Sequence, residues 1–258
     1  MDGHGTAIRT ITISTIADLV DASEAFGRDE HGTPWFRGHR DASWRLTPSA
    51  QRNGLRGVEA TSTERGQMNA FMRGACVRCR DYPTWDDFGG WISLAQHHGV
   101  PTRLLDWTAS PLAALYFAVD NGAGETDRAI WMLSPTYLNR ASGGQQALYT
   151  LTCDSARSLL APVFTNAEEP AHKVIAVEPH HTHLRMMVQQ SAFTLHAPEG
   201  PLEAHPEASK FLTRLLIPAE RRFGFRSALR ALGINGSVLF PDLDNLALHI
   251  RQLKFIAR

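Results

Sequence analysis

The chain has 258 residues, 43% of them apolar and 20% charged, with 26 Lys plus Arg balanced by 26 Asp plus Glu. That length and balance fit one large globular domain and exclude an overall electrostatic grip on nucleic acid or an anionic membrane. Arginine far outnumbers lysine, which suits bidentate or stacked recognition. Three cysteines, Cys76, Cys79 and Cys153, make no disulfide framework and point to a reducing, cytoplasmic setting. No apolar run is long enough to span a membrane, and MDGHGTAIRTITIS lacks the charged-then-apolar order of a secretory signal.

In chain order, TITISTIADLV opens with alternation and then shifts to helical spacing, with Ile16, Leu19, Val20 and Phe26 near one face. PWFRGH reads as a short strand with Trp35 and Arg37 on one face and Phe36 on the other. Residues 61–80 read as a helix with Met68, Phe71, Met72 and Ala75 at core spacing. Thr84, with Asp87 three residues on, looks like the N-cap of a helix carrying Trp85, Phe88, Trp91 and Ala95, which Gly99 and Pro101 stop. Ser110 caps the next helix, with Pro111 at its first position and Leu112, Leu115, Tyr116 and Val119 as its stripe. The stretch between these two helices reads as a tight connector.

Further on, RAIWML, KVIAVEP, SAFTLHAP, FLTRLLIP and SVLFP read as strands. DSARSLLAPVF, AERRFGFRSALRALG and DLDNLALHIRQL read as helices. Strands outnumber simple crossover units in the second half, so the expected class is α+β, with a mixed or split sheet flanked by helices. Residues 1–29 form a helical lead-in, and residues 30–250 form one domain.

The equipment concentrates in LAQHHGVPTRLLDWTASPLAALYFAV, residues 94–119. Gln96, His97 and His98 occupy the last turn of a helix, where the dipole favours donors. Adjacent helical residues point about 100° apart, so the two histidines cannot share one metal ion, and no metal site is expected. Arg103, Asp106 and Thr108 alternate with Leu104, Leu105 and Trp107. They form either a structural clamp or the polar lip of a pocket in which Ser110 and the helix start offer N–H groups to an anion. Cys76-Val-Arg-Cys79 lies within a helix without a partner pair, and His180, His181 and His183 read as a turn. Arg222, Arg226 and Arg230 fall four apart, a basic stripe or a solvated face. There is no Walker A, GxGxxG or GxSxG pattern.

PWFRGH and the 94–119 stretch, together with LTPSAQR, RMMVQQSAFTLH and LFPDLDNLA, resemble the FRG domain family, named for the triplet seen here as Phe36-Arg37-Gly38. More distantly, the order of elements resembles ADP-ribosyltransferases of the arginine-serine-glutamate type. That second resemblance implies an ADP-ribosyltransferase-like split sheet and NAD as co-substrate. It implies that Arg37 positions the cofactor beside Gly38, that Thr108 and Ser110 line the ribose site, and that Gln190 (or Gln189) stands at the glutamate position. Gln96, His97, Arg103 and Asp106 would shape the pocket. Asp106, Glu178 or Asp242 would supply a carboxylate if folded inward. The implied activity is transfer of ADP-ribose to a protein or nucleic-acid acceptor, as in bacterial or phage toxins and defence effectors. The alternatives are a non-catalytic nucleotide-recognition module, favoured by Gln in place of Glu, and an NAD glycohydrolase.

Overall fold

A computed structural model describes residues 7–28, 32–52, 54–120, 125–170, 173–179, 184–198 and 200–252. The chain runs β1 (Arg9–Thr12), α1 (Ile16–Phe26), β2 (Trp35–His39), α2 (Gly57–Ala75), α3 (Phe88–His97), β3 (Leu104–Thr108) and α4 (Pro111–Val119). It continues through β4 (Arg128–Leu133), α5 (Pro135–Ala141), β5 (Tyr149–Thr150), α6 (Asp154–Phe164), β6 (Val174–Glu178), α7 (Leu184–Val188) and β7 (Ser191–His196). It closes with α8 (Ala208–Phe211), β8 (Leu212–Ile217), α9 (Arg222–Ala231), α10 (Gly236–Leu239) and α11 (Leu243–Gln252).

The strands form one mixed sheet in the order β1-β8-β4-β2-β3-β7-β6-β5. The outer pairs β1–β8 and β5–β6 are parallel, and every inner pair is antiparallel. The class is therefore α+β, with helices on both faces. Successive residues of β2 point to opposite faces, as the pleat requires. Phe36 enters a cluster with Leu115, Ile130, Leu215 and Phe225, beneath α1, α4 and α9. Trp35 enters a cluster on the opposite face with Leu105, Trp107, Leu133 and Phe211. A third cluster packs α2, α3 and α6 over β3, β6 and β7, around Trp91, Leu104, Leu160 and Phe193.

Local chemistry sets the helix starts. Thr15 and Asp18 form a reciprocal capping box at α1. Ser110 Oγ accepts from Ala113 N at α4, with Pro111 in the first turn. The cap of α3 is Asp87, whose Oδ1 accepts from Gly90 N at 2.8 Å, so Thr84 lies before the helix instead of starting it. Thr84 instead gives its carbonyl to the Trp91 indole N–H.

Several expectations are corrected. The connector between α3 and α4 contains a full strand, β3, buried at every position except Asp106. Burial on both faces removes the alternation that would have marked it. SVLFP is not a strand: Asn235 Oδ1 accepts from Ser237 N and Val238 N and starts α10 there, overriding the β-preference of Val238 and Phe240. The helix expected at 61–80 spans Gly57–Ala75, which leaves Cys76 and Cys79 in the turn after it. Among the described residues no helix is long and apolar enough to cross a membrane.

Candidate functional site: a cleft where the sheet parts

Neighbouring strands in this sheet are paired over most of their length: β2 with β4 from Trp35↔Leu133 to His39↔Ala129, and β3 with β7 from Leu104↔Leu195 to Thr108↔Ser191. Between β2 and β3 the ladder holds a single pair, Phe36↔Thr108. Beyond it the strands separate, and the backbone groups there need other partners. Arg37 supplies one: its Nη1 donates to the Asp106 carbonyl at 2.6 Å. A cleft of about 730 Å³ opens over this parting. Its floor is Phe36, Arg37, Gly38, Leu104, Asp106 and Thr108. Gln96 and Val100 lie to one side, and Tyr116, Phe117 and Asp120 of the α4 region to the other.

Gly38 is required by this arrangement. A Cβ on it would lie 2.0 Å from the Ala114 carbonyl oxygen and 2.7 Å from Ala118 N, both backbone atoms of α4. Helix and strand are in backbone contact, and that contact puts the α4 wall beside the parting.

The electrostatics favour an anion. Four arginines, Arg37, Arg40, Arg52 and Arg185, line the cleft against two carboxylates, Asp106 and Asp120. Burial holds the Arg37 guanidinium below the usual arginine value; Asp106 opposes the shift and Arg52 adds to it. The Asp106 carboxylate only partly compensates: Oδ2 stands 3.6 Å from Arg37 Nη1, and the side chain is 58% exposed. Oδ1 of Asp106 accepts from Gln96 Nε2 at 2.9 Å, which fixes the orientation of the carboxylate. Aromatic surface is interleaved with the cations. Arg40 lies 5.8 Å over the half-exposed Trp44 ring, and Arg185 lies 4.7 Å over Phe240. Phe117 and Phe240 meet edge to face at 5.9 Å, bringing the segment after α10 to the α4 wall.

The structure brings Arg37, Gly38, Gln96, Asp106 and Thr108 to this cleft and leaves six other sequence candidates outside its lining. Arg103 is buried on the far side of β3's first residue, where Nε meets Glu64 at 2.9 Å and Nη2 meets Glu169 at 2.8 Å. It is the clamp, because a guanidinium on the buried side of that strand can only be accommodated with partners. Ser110 spends its hydroxyl on capping α4. His97 packs its ring against His98 at 5.1 Å. Gln190 is exposed in a left-handed conformation (φ 46°), with its carbonyl accepting from Ala109 N. Gln189, the other residue considered for that position, does line the cleft, with Nε2 donating to Leu239 O at 2.9 Å. Thr108 lines the cleft, but its Oγ1 donates to Gln189 O at 2.6 Å and accepts from Ser110 N, so it ties the floor together. Glu178 and Asp242 do not join the lining. His180, His181 and His183 lie outside the described residues, among which no group of three potential metal-binding side chains occurs.

Reasoning from sequence missed Arg40, Trp44 and Arg52, which follow β2, and Arg185, Phe240 and Asn245 from distant segments. The first three carried a signal, since four arginines and a tryptophan crowd into the sixteen positions from Arg37 to Arg52. The last three depend on tertiary closure.

Under the floor lies a buried polar layer. Arg37 Nε donates to His39 Nε2 at 3.1 Å, which requires a neutral imidazole. Burial, reinforced by the Arg37 charge, pushes His39 down to about 3. On β7, the Trp107 indole donates to Thr194 Oγ1 at 3.0 Å, and Thr194 meets His196 Nε2 at 2.8 Å. His196 is fully buried and likewise falls to about 3, through burial first and the charges of Arg37 and Arg103 second. Both histidines take up protons near pH 6.5 when unfolded and resist them when folded. Their stabilisation is therefore complete above pH 6.5 and is lost as the pH falls towards 3. Between pH 7 and pH 5 the pair should cost about 4 kcal/mol of folding stability. Urea denaturation at the two pH values checks this, and a flat profile would put the imidazoles in contact with water.

Comparison with known families turns on this region. The family model of the FRG domain matches residues 33–127. This stretch is similar to the FRG domain. No curated protein and no solved structure matches the chain. The matched FRG stretch runs from just before β2 to just before β4, so it carries the triplet Phe36-Arg37-Gly38, both strands at the parting, α3 and α4. Arg185, Gln189, Phe240 and Asn245 reach the cleft from beyond it.

Proposed function

We propose that the cleft binds NAD and that the protein is an ADP-ribosyltransferase-like enzyme acting on a macromolecular acceptor. One observation carries this reading: four arginines converge with the half-exposed Trp44 ring and the part-buried rings of Phe117 and Phe240 on a single cleft at a parting in the sheet. A dinucleotide offers the matching chemistry. Its diphosphate suits guanidinium forks and its bases suit stacking surfaces. The volume falls within the range of about 300–1,000 Å³ typical of small-molecule sites. The ADP-ribosyltransferase-like split sheet belongs to the same proposal, supported by the single-pair junction of β2 and β3.

In this reading Arg37, with Arg52 nearby, holds the diphosphate, and Asp106 takes the role that the resemblance gives to a glutamate. The bond from C1′ of the nicotinamide ribose to the ring nitrogen breaks, and its electron pair leaves with nicotinamide, which departs neutral. The Asp106 carboxylate stabilises the positive charge developing at C1′. A lone pair of the acceptor then forms the new bond to C1′, and its proton passes to Asp106 or to water. Gln96 keeps the carboxylate pointed at that position.

A second reading, recognition without cleavage, is favoured by Gln189, an uncharged cleft residue whose amide is already committed to Leu239 O. Incubation with NAD followed by chromatography separates these readings. Free nicotinamide with labelled macromolecule means transfer, and free nicotinamide with free ADP-ribose means hydrolysis. Intact NAD that raises the melting temperature means recognition. The absence of both cleavage and a melting shift would remove the proposal. Asp106→Asn should slow nicotinamide release by about 10²-fold while preserving the melting shift.

A further inference from the structure

The proposed transfer reaction leaves its acceptor unspecified, and the surface beside the cleft has the chemistry to select one. Helix α9 packs on α4, and Arg222 Nε donates to Val119 O at 3.2 Å, next to the cleft residue Asp120. Arg226, one turn on, lies within electrostatic reach of Tyr116 in the cleft wall. Arg221 and Arg230 extend the same element outward and are exposed. Among the described residues none of these four arginines is in an ion pair. The carboxylates around this surface are Asp120 at the cleft edge, Glu220, Asp127 and Asp41. Asp127 already accepts from Ala219 N, and Asp41 accepts from Ser43. Glu220 is the one such carboxylate at the start of α9.

Charge alone would describe a solvated helix face. The second observation is Phe223, 71% exposed in the first turn of α9, with the Arg222 guanidinium 5.6 Å from its ring centre. A large exposed ring held beside a cation, on a track of arginines, is how proteins bind unpaired bases and the phosphates between them. The chain's formal net charge of zero makes the concentration on α9 a local feature, not a reflection of an overall basic protein. Ten helical residues cover about 15 Å, enough for a few nucleotides leading towards the cleft.

We propose that α9 is the docking surface for a single-stranded nucleic-acid acceptor, with Phe223 stacking on a base and Arg221, Arg226 and Arg230 holding phosphates. The acceptor role rests on the NAD-cleaving reading of the cleft; binding of the strand does not, and it is measured without NAD.

The test is fluorescence anisotropy of the full chain with a short, labelled, mixed-sequence single-stranded oligonucleotide across a range of NaCl concentrations. Each phosphate contact contributes about −0.7 to the slope of log K against log salt. Arg221→Gln, Arg226→Gln and Arg230→Gln together should flatten that slope by about 2. Phe223→Ala should weaken binding roughly tenfold at every salt concentration and leave the slope unchanged. The NAD-induced melting shift of each variant, measured separately, reports on the cleft and on folding. A parent protein that does not bind the oligonucleotide would overturn the inference, as would a slope unaffected by the triple substitution. Equal competition by duplex DNA or by polyglutamate would do the same.

Discussion

Replacing Gly38 by alanine is expected to destabilise the fold by about 4 kcal/mol or more. The added methyl would sit 2.0 Å from one backbone atom of α4 and 2.7 Å from another. Overpacking against side chains typically costs about 1–3 kcal/mol because rotamers can give way. Here neither neighbour is a side chain, so α4 must lift from β2 as a unit, disturbing the cluster of Phe36, Ala114, Leu115 and Ala118. The urea midpoint of Gly38→Ala measures this. A midpoint equal to the parent's would show that α4 is not seated on β2, and the cleft wall would then need to be redrawn.

Arg103→Met is expected to cost about 3–5 kcal/mol, for a different reason. Arg103 Nε and its own backbone N–H both donate to Glu64, Nη1 donates to the Leu159 carbonyl, and Nη2 meets Glu169, which Thr61 also contacts. Removing the guanidinium leaves the buried Glu64 carboxylate without its counter-charge, the expensive half of a buried pair. Burial already pushes the Glu64 carboxyl upward even with Arg103 present. Without Arg103 the folded state binds the Glu64 proton more readily than the unfolded state does, so the variant's deficit should shrink as the pH falls. Denaturation of parent and variant at pH 7 and pH 5 gives that difference directly. A deficit that grows at pH 5 would contradict the assignment.

These two residues show what the sequence could disclose. The strand WFRGH was readable because Trp35 and Phe36 alternate between two apolar clusters. Ser110-Pro111 was readable because capping is local. The α+β class followed from the mixture of strand and helix patterns, and the sheet order did not, because pairing partners such as β1 and β8 are some two hundred positions apart. Arg37 and Asp106 were legible as polar residues in apolar surroundings. Their contact across the parting was a matter of topology. Arg103 looked equivalent to Asp106 in the sequence, yet its counter-charges arrive from α2 and from the segment after α6. The two-residue strand β5 offers no period to detect, and α5 was missed although Pro135 at its first turn was a usable start signal.

The central claim is that the parting of β2 and β3 is a nucleotide site organised by Arg37. Isothermal titration of NAD into the parent and into Arg37→Gln tests it most directly, with circular dichroism to establish that both are folded. The account predicts saturable one-site binding by the parent and a loss of at least about tenfold in affinity for the variant. Equal affinity of the two folded proteins for NAD would contradict it.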